Sequence, residues 1–357
     1  MGAITEARPR HTFRVEPRPL TANPRTARRR TRRSRRGRRL LLVAVAAVAV
    51  IVVVLVGTAG MVWLRIDRRH VHLVGSNHGT TYLLVGSDSR AFVSSAADRA
   101  HFGTAARAGG EHADIVLLVR KVGDRVSMLD VPRDLVVLAP GDVPTRYTLT
   151  FAGGLQSLAD VTCNSLGVPV DHLAVVHFDG LRKAIDAVGG VDVTSSTPLR
   201  DRVTGLAVPA GRQRLDGEQA LALVRSRQTE REVAGRWEAV PPTATERGER
   251  ASTVLGALGA RSGLSVLSPW SSMRKLLAFS DAVTVDDGMG PFQLRAFAKL
   301  LQQVDVRHAA RLPVHFTPGA VPVAVATSAT APAIRRFTGP SGTCSSRFPT
   351  LSPGGTP

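Results

Sequence analysis

Ala113-Asp114-Ile115-Val116-Leu117-Leu118-Val119 is followed by Lys121-Val122-Gly123-Asp124-Arg125 and then by Ser127-Met128-Leu129-Asp130-Val131-Pro132-Arg133-Asp134. Two apolar runs flank a short charged turn containing Gly-Asp, which is the pattern of a β-hairpin. Proline stops the second run. Upstream, Tyr82-Leu83-Leu84-Val85-Gly86-Ser87-Asp88-Ser89-Arg90 is an apolar strand running into a polar turn. If 81–86 lies antiparallel beside the first hairpin strand, then Asp88, Asp114 and Arg133 meet at one edge of the sheet. Segments 155–166, 179–188, 247–260 and 291–303 carry helical spacing, and 190–194 and 322–326 read as strands, the last followed by a helix to Phe337. Strands alternating with helices, but including a hairpin, predict an α/β fold with a mixed central sheet and helices on both faces.

Two carboxylates at one sheet edge repel each other unless a cation lies between them. Mg²⁺ is the natural candidate, because it takes carboxylate and phosphate oxygens together. The plainer alternative is that Asp88 caps a turn and Asp114 pairs with an arginine. His101, His112, His172 and His177 are scattered and read as structural. There is no Gly-x-Ser-x-Gly elbow and no phosphate-binding glycine loop ending in Lys.

A second group of residues is basic. Asp216 is a good helix N-cap with Gln219 three residues on, a capping box. The helix is expected to be short, with Leu223 to Arg227 extended, so that Arg225 and Arg227 share one face. Two guanidinium forks suit a phosphate or pyrophosphate, which each binds through paired oxygens. A solvated strand edge is the alternative. Arg247 and Arg250 share a face of the helix they open, where free N–H groups also favour an anion. Arg90, in the turn after Asp88, is a further candidate for binding the pyrophosphate. Residues 228–246, with Pro241-Pro242, read as a loop.

The chain has 357 residues and a net charge of +19. Residues 1–39 hold fourteen Arg against Glu6 and Glu16 and read as a disordered tail. Leu40 to Leu64 follow without a charge, long enough for a membrane span, which needs about 20 apolar residues. The arginines place the N-terminus in the cytoplasm and the rest outside. Gly57-Thr58-Ala59-Gly60 resembles a cleavage site, so a removed leader is the alternative. The tail suits anionic membrane lipids. It carries no helix-turn-helix pattern, so sequence-specific nucleic-acid binding is not expected. Residues 65–80 read as a connector, 81–340 as the globular domain and 341–357 as a Gly-, Pro- and Ser-rich tail. Cys163 and Cys344 are an even pair suited to an oxidising compartment; a disulfide between them is expected, with two separate thiols as the alternative.

Taken in order, the segments around Asp88, Asp114, Arg133 and Arg225 resemble the extracytoplasmic domain of the LytR-CpsA-Psr family. Val176-His177-Phe178-Asp179-Gly180-Leu181, Asp186-Ala187-Val188-Gly189-Gly190-Val191-Asp192-Val193 and Leu215-Asp216-Gly217-Glu218-Gln219 add to the likeness. The resemblance implies a membrane-anchored phosphotransferase that moves a glycopolymer from a polyprenyl-pyrophosphate carrier to peptidoglycan, usually to the C6 hydroxyl of muramic acid. By motif, Asp88 and Asp114 match the family's metal-binding acids, and Arg133, Arg225, Arg227 and Arg247 its pyrophosphate-binding arginines. The carrier's isoprenoid tail would need an apolar slot between sheet and helices.

The chain departs from the pattern at three places. His112 stands where an Arg is usual two residues before the second acid. The late Asp-Phe-Gly-Arg-x-x-Arg-Gln motif appears as Ala244-Thr245-Glu246-Arg247-Gly248-Glu249-Arg250-Ala251, so its Asp and Gln fall on Ala244 and Ala251. The segment resembling Lys-Ile-Asn is Arg146-Tyr147-Thr148. These departures keep open a second function, a catalytically weak carrier-binding scaffold or envelope regulator.

Overall fold

The computed structural model describes residues 41–43, 45–46, 53, 57–58, 60–87, 113–240, 244–261, 263, 268–301, 303, 308–317, 323–339 and 344–349. The chain divides into two units, Met1–Thr58 and Ala59–Pro357, and the fold below is that of the second. The tail at 1–39 and much of 40–64 lie outside the described residues. Among those described, no helix is long and apolar enough to cross a membrane.

A seven-stranded sheet organises the domain. Its strands are β1 (Asp67–Arg69), β2 (Thr80–Ser87), β3 (Ala113–Val122), β4 (Arg125–Asp130), β5 (His172–His177), β6 (Val283–Asp286) and β7 (Ala310–Arg311), in the spatial order β1-β6-β5-β2-β3-β4-β7. The β3–β4 hairpin and the antiparallel β2–β3 pair follow the expected register. Parallel pairing of β5 with β2, and of β1 with β6, makes the sheet mixed. The central strands are buried on both faces, which explains why Tyr82–Val85 and Val116–Val119 are continuous apolar runs.

The longer helices of this unit among the described residues are, in chain order, α1 (Gly154–Asn164), α2 (Phe178–Ala187), α3 (Gly217–Arg225), α4 (Ala244–Arg261), α5 (Pro269–Ser280), α6 (Pro291–Leu301) and α7 (Thr330–Thr338). On one face, Leu83, Val85, Val116 and Leu118 pack with Tyr147, Phe151, Leu158 and Val161 of the α1 layer and with Ile334 of α7. On the other, Tyr82, Leu84, Leu117 and Val119 meet Phe297 and Leu300 of α6. A further cluster joins α2, α3 and α4 through Leu181, Ile185, Leu223 and Val254, reaching the sheet at Ile115 and Val176. Each large side chain so buried contributes about 1.5–3 kcal/mol.

Three segments differ from the sequence reading. The connector contains β1, an edge strand of the sheet. The polar loop at 228–246 holds a hairpin, Glu230–Val233 with Arg236–Ala239, turned by Ala234 (φ 49°) and Gly235 (φ 77°). Positive φ at both central residues matches the right-handed twist of a two-residue hairpin, and Ala234 is an unusual residue to accept it. The segment read as a tail includes Cys344–Pro349, which is bound to the domain. Cys344 forms a disulfide with Cys163, the Arg347 amide donates to the Ser165 carbonyl at 2.8 Å, and Phe348 packs against the first core cluster. Replacing both cysteines by Ala should cost about 2–5 kcal/mol, because the bond closes a loop of 181 residues. A denaturation curve of the double variant beside the oxidised protein measures this.

Candidate active site

The β2–β3 ladder is regular from Thr80↔Lys121 to Gly86↔Ile115 and then shifts, with Ser87 opposite Ala113. Asp114 is the extra residue of a β-bulge. Bulges occur at sheet ends beside functional sites, where they re-aim a side chain. The bulge brings the Asp114 position next to Ser87, the residue before Asp88. Asp88, Arg90 and His112 lie outside the described residues, as do the side chains of Asp114 and Arg247.

Arg133 sits in the turn after β4, between the core residues Val131 and Leu135. Its carbonyl accepts the Thr148 amide at 2.8 Å, and its side chain, 21% exposed, reaches Asp134 at 3.4 Å. Pairing continues past the end of β4, with Val131 N–H donating to the Val116 carbonyl. The turn therefore stays at the Asp114 end of the sheet.

The second arginine group is built differently from the expectation. The capping box is present, with the Asp216 carboxylate accepting from the Gln219 amide at 2.9 Å. The helix it starts runs to Arg225, so Leu223–Arg225 is helical and only Ser226 turns extended (φ −58°, ψ 124°). Leu223 and Val224 are buried in the α2–α3–α4 cluster, and that packing holds the last turn in the helix. Arg225 is half-buried at the helix end and Arg227 is exposed beyond it. Arg250 of α4 donates to the Ser226 carbonyl at 2.9 Å, bringing a third guanidinium to the same loop.

One residue that organises this loop was not singled out from the sequence. Asp201, 1% exposed, accepts hydrogen bonds from Ser226 Oγ (2.6 Å), from the Arg227 and Gln228 amides (3.2 and 3.0 Å) and from the Val203 and Thr204 amides (2.8 and 3.3 Å). Burial pushes its carboxyl up, but the hydrogen bonds from Ser226, Gln228, Val203 and Thr204 outweigh it and hold the group below the usual carboxylate range. In Leu199-Arg200-Asp201-Arg202 it looks like one more surface charge; only the fold reveals its donors. Asp201→Asn should lower stability by about 1–3 kcal/mol, because a charged acceptor is replaced by one carbonyl. Since the folded value is depressed, this contribution is present above about pH 4 and is lost as pH falls through the folded value. Acid melts of wild type and variant should therefore converge at low pH.

Residues 65–238 match the LytR_cpsA_psr family. Residues 65–238 are a LytR-CpsA-Psr domain. The chain is 34% identical over 168 residues to the "Probable cell wall biosynthesis protein LcpB" of Corynebacterium glutamicum, covering 46% of this chain and 40% of that one. It is 33% identical over 124 residues to the "Polyisoprenyl-teichoic acid--peptidoglycan teichoic acid transferase TagU" of Halalkalibacterium halodurans, covering 34% and 40%. The matched stretches thus span less than half of these curated relatives. The solved structure of a LytR-Csp2A-Psr enzyme from Actinomyces oris superposes with a TM-score of 0.59 at 27% identity, over 77% of this chain and 96% of that one. The mixed sheet with helices on both faces is the LytR-CpsA-Psr fold. At the departure from the family's late motif, Ala251 is buried in the α2–α3–α4 cluster and offers no polar group.

Proposed function

We propose that this protein is a membrane-anchored phosphotransferase that moves a glycopolymer from a polyprenyl-pyrophosphate carrier to peptidoglycan. The observation that supports the reading is the bulge at Asp114, which sets the Asp114 backbone beside Ser87 at the sheet end where the turn of Arg133 also lies. The name of the TagU relative supports the same substrate pair. In phosphoryl transfer the protein mainly positions groups and neutralises charge on the phosphate oxygens. Arg133, Arg225, Arg227 and Arg250, with Arg247 by motif, would bind the pyrophosphate and orient it. Asp88 and Asp114 would hold Mg²⁺, which supplies charge neutralisation on the phosphate oxygens when bound. An acceptor hydroxyl oxygen forms the new P–O bond. The old P–O bond breaks with its electron pair leaving on polyprenyl phosphate, and the hydroxyl proton passes to water.

The anchor would be the apolar segment 40–64, with the domain outside the cell. A C-terminal reporter active only in the cytoplasm would overturn the anchor and the transfer together. Arg225→Ala and Arg227→Ala should each weaken binding of a polyprenyl pyrophosphate about ten-fold or more, the worth of a charged hydrogen bond. Titration of both variants with the carrier measures it; unchanged affinity in both would make the pair a solvated face. A scaffold that binds the carrier without transfer is the second reading. It is favoured by Ala251, buried where the family pattern has a polar Gln. Transfer to peptidoglycan by the purified wild type decides against it.

A further inference from the structure

A cavity of about 430 Å³ opens on the sheet face covered by α1, over the β1–β6–β5 edge. It is of the size that takes a small organic ligand. Phe151, Leu155 and Val175 form apolar walls, and Gly153-Gly154 leaves one side as bare backbone. The floor is polar and ordered. Thr284 Oγ donates to Asp67 at 3.0 Å, so the His177 Nε2 contact at 2.8 Å to the same hydroxyl must be a donation from the ring. Arg69 Nε donates to the same Asp67 carboxylate at 3.1 Å and completes the rim.

An isoprenoid chain laid here would displace water from the part-exposed Asp67 and Arg69 and leave their remaining hydrogen-bonding capacity unmet. The wall suits a sugar, whose hydroxyls need such partners and whose C–H faces pack on aromatic and aliphatic side chains. Position adds to the argument. His177 pairs with Ser87 on the adjacent strand, and Ser87 precedes Asp88. The cavity therefore opens at the sheet end of Ser87 and the Asp114 bulge. The loop of Arg225, Arg227 and Arg250 belongs to the α3–α4 layer, whose cluster meets the sheet at Ile115 and Val176, on the opposite face.

We propose that this cavity is the acceptor subsite, taking a disaccharide unit of peptidoglycan; the assignment rests on the reading of the chain as a transferase. Donor and acceptor then reach the acid edge from opposite faces of one sheet. Leu155→Trp fills the cavity from its wall, and Arg69→Ala removes a donor from its exposed rim. The probe is a soluble N-acetylglucosamine–N-acetylmuramyl-peptide fragment, titrated into the full chain in detergent, with polyprenyl pyrophosphate titrated in parallel. Fragment affinity should fall about ten-fold or more in Leu155→Trp and by several-fold in Arg69→Ala, with carrier affinity unchanged in both. A wild type that binds no fragment, or two variants that bind it as wild type does, overturns the subsite. Undiminished transfer in both variants overturns the subsite alone. Absence of both carrier binding and transfer in the wild type overturns the transferase reading itself. If Leu155→Trp fails to fold, Arg69→Ala decides the matter.

Discussion

Asp114→Asn is expected to lower transfer to peptidoglycan by about 100- to 1,000-fold, the effect of removing one preorganised charge contact from a transition state, while the carrier stays bound. Asp114 is the extra residue of a bulge at the end of β3. Its backbone pairing does not depend on its side chain, so Asn keeps the ladder. The variant removes a negative charge from the proposed pyrophosphate site. Carrier affinity should therefore hold or rise, because the arginines are untouched. Asp88→Asn should behave alike, and excess chelator should reduce wild-type transfer to the level of either variant. Measuring transfer and carrier binding on the same preparations makes the split visible. Equal transfer with and without chelator would refute a metal site at the two acids.

Gly180→Ala is expected to destabilise the fold by about 3 kcal/mol, the upper end for an overpacked core. Gly180 lies in the first turn of α2, and a Cβ there would stand 2.2 Å from the Cα of Ala282, just before β6. Backbone cannot yield as a side-chain tip can, so helix and strand must separate. That contact ties α2 to the edge half of the sheet, so loss of carrier binding should accompany the loss of stability. Gly256→Ala in α4 is the contrasting case. Nothing lies within 4 Å of its added Cβ, and the change should gain about 1 kcal/mol from helix propensity alone. Denaturant midpoints of the two variants, falling in one and rising in the other, test both statements.

The central hairpin was legible because its strands are buried on both faces and its turn carries Gly123-Asp124, so local signal and tertiary role agree. The same holds for the capping box at Asp216. The arginine loop was legible in composition but not in conformation. Val224 and Arg225 read equally well as strand, and only packing against α2 and α4 keeps them helical. The hairpin at 230–239 escaped notice because Glu230 and Glu232 take the partly buried positions of its first strand and its turn places Ala234 at positive φ. β1, β6 and β7 are four residues or shorter, too short for any periodicity to show. Asp201 and the polar floor of the cavity were hidden for another reason. Asp201 draws its donors from two separate loops that only the fold brings together, and in the cavity floor Asp67 reaches Thr284 across 217 residues.

The Cys163–Cys344 bond has a consequence for the order in which the molecule is made. Synthesis at about 5–20 residues per second delivers the second thiol roughly 10–40 s after the first. During that interval the thiol on α1 has no native partner, and exchange with a small or protein disulfide leaves it in a mixed disulfide that must later be resolved. Closure of the domain is thus a late, post-elongation event, and the yield of native protein will depend on the exchange machinery that the emerging chain meets.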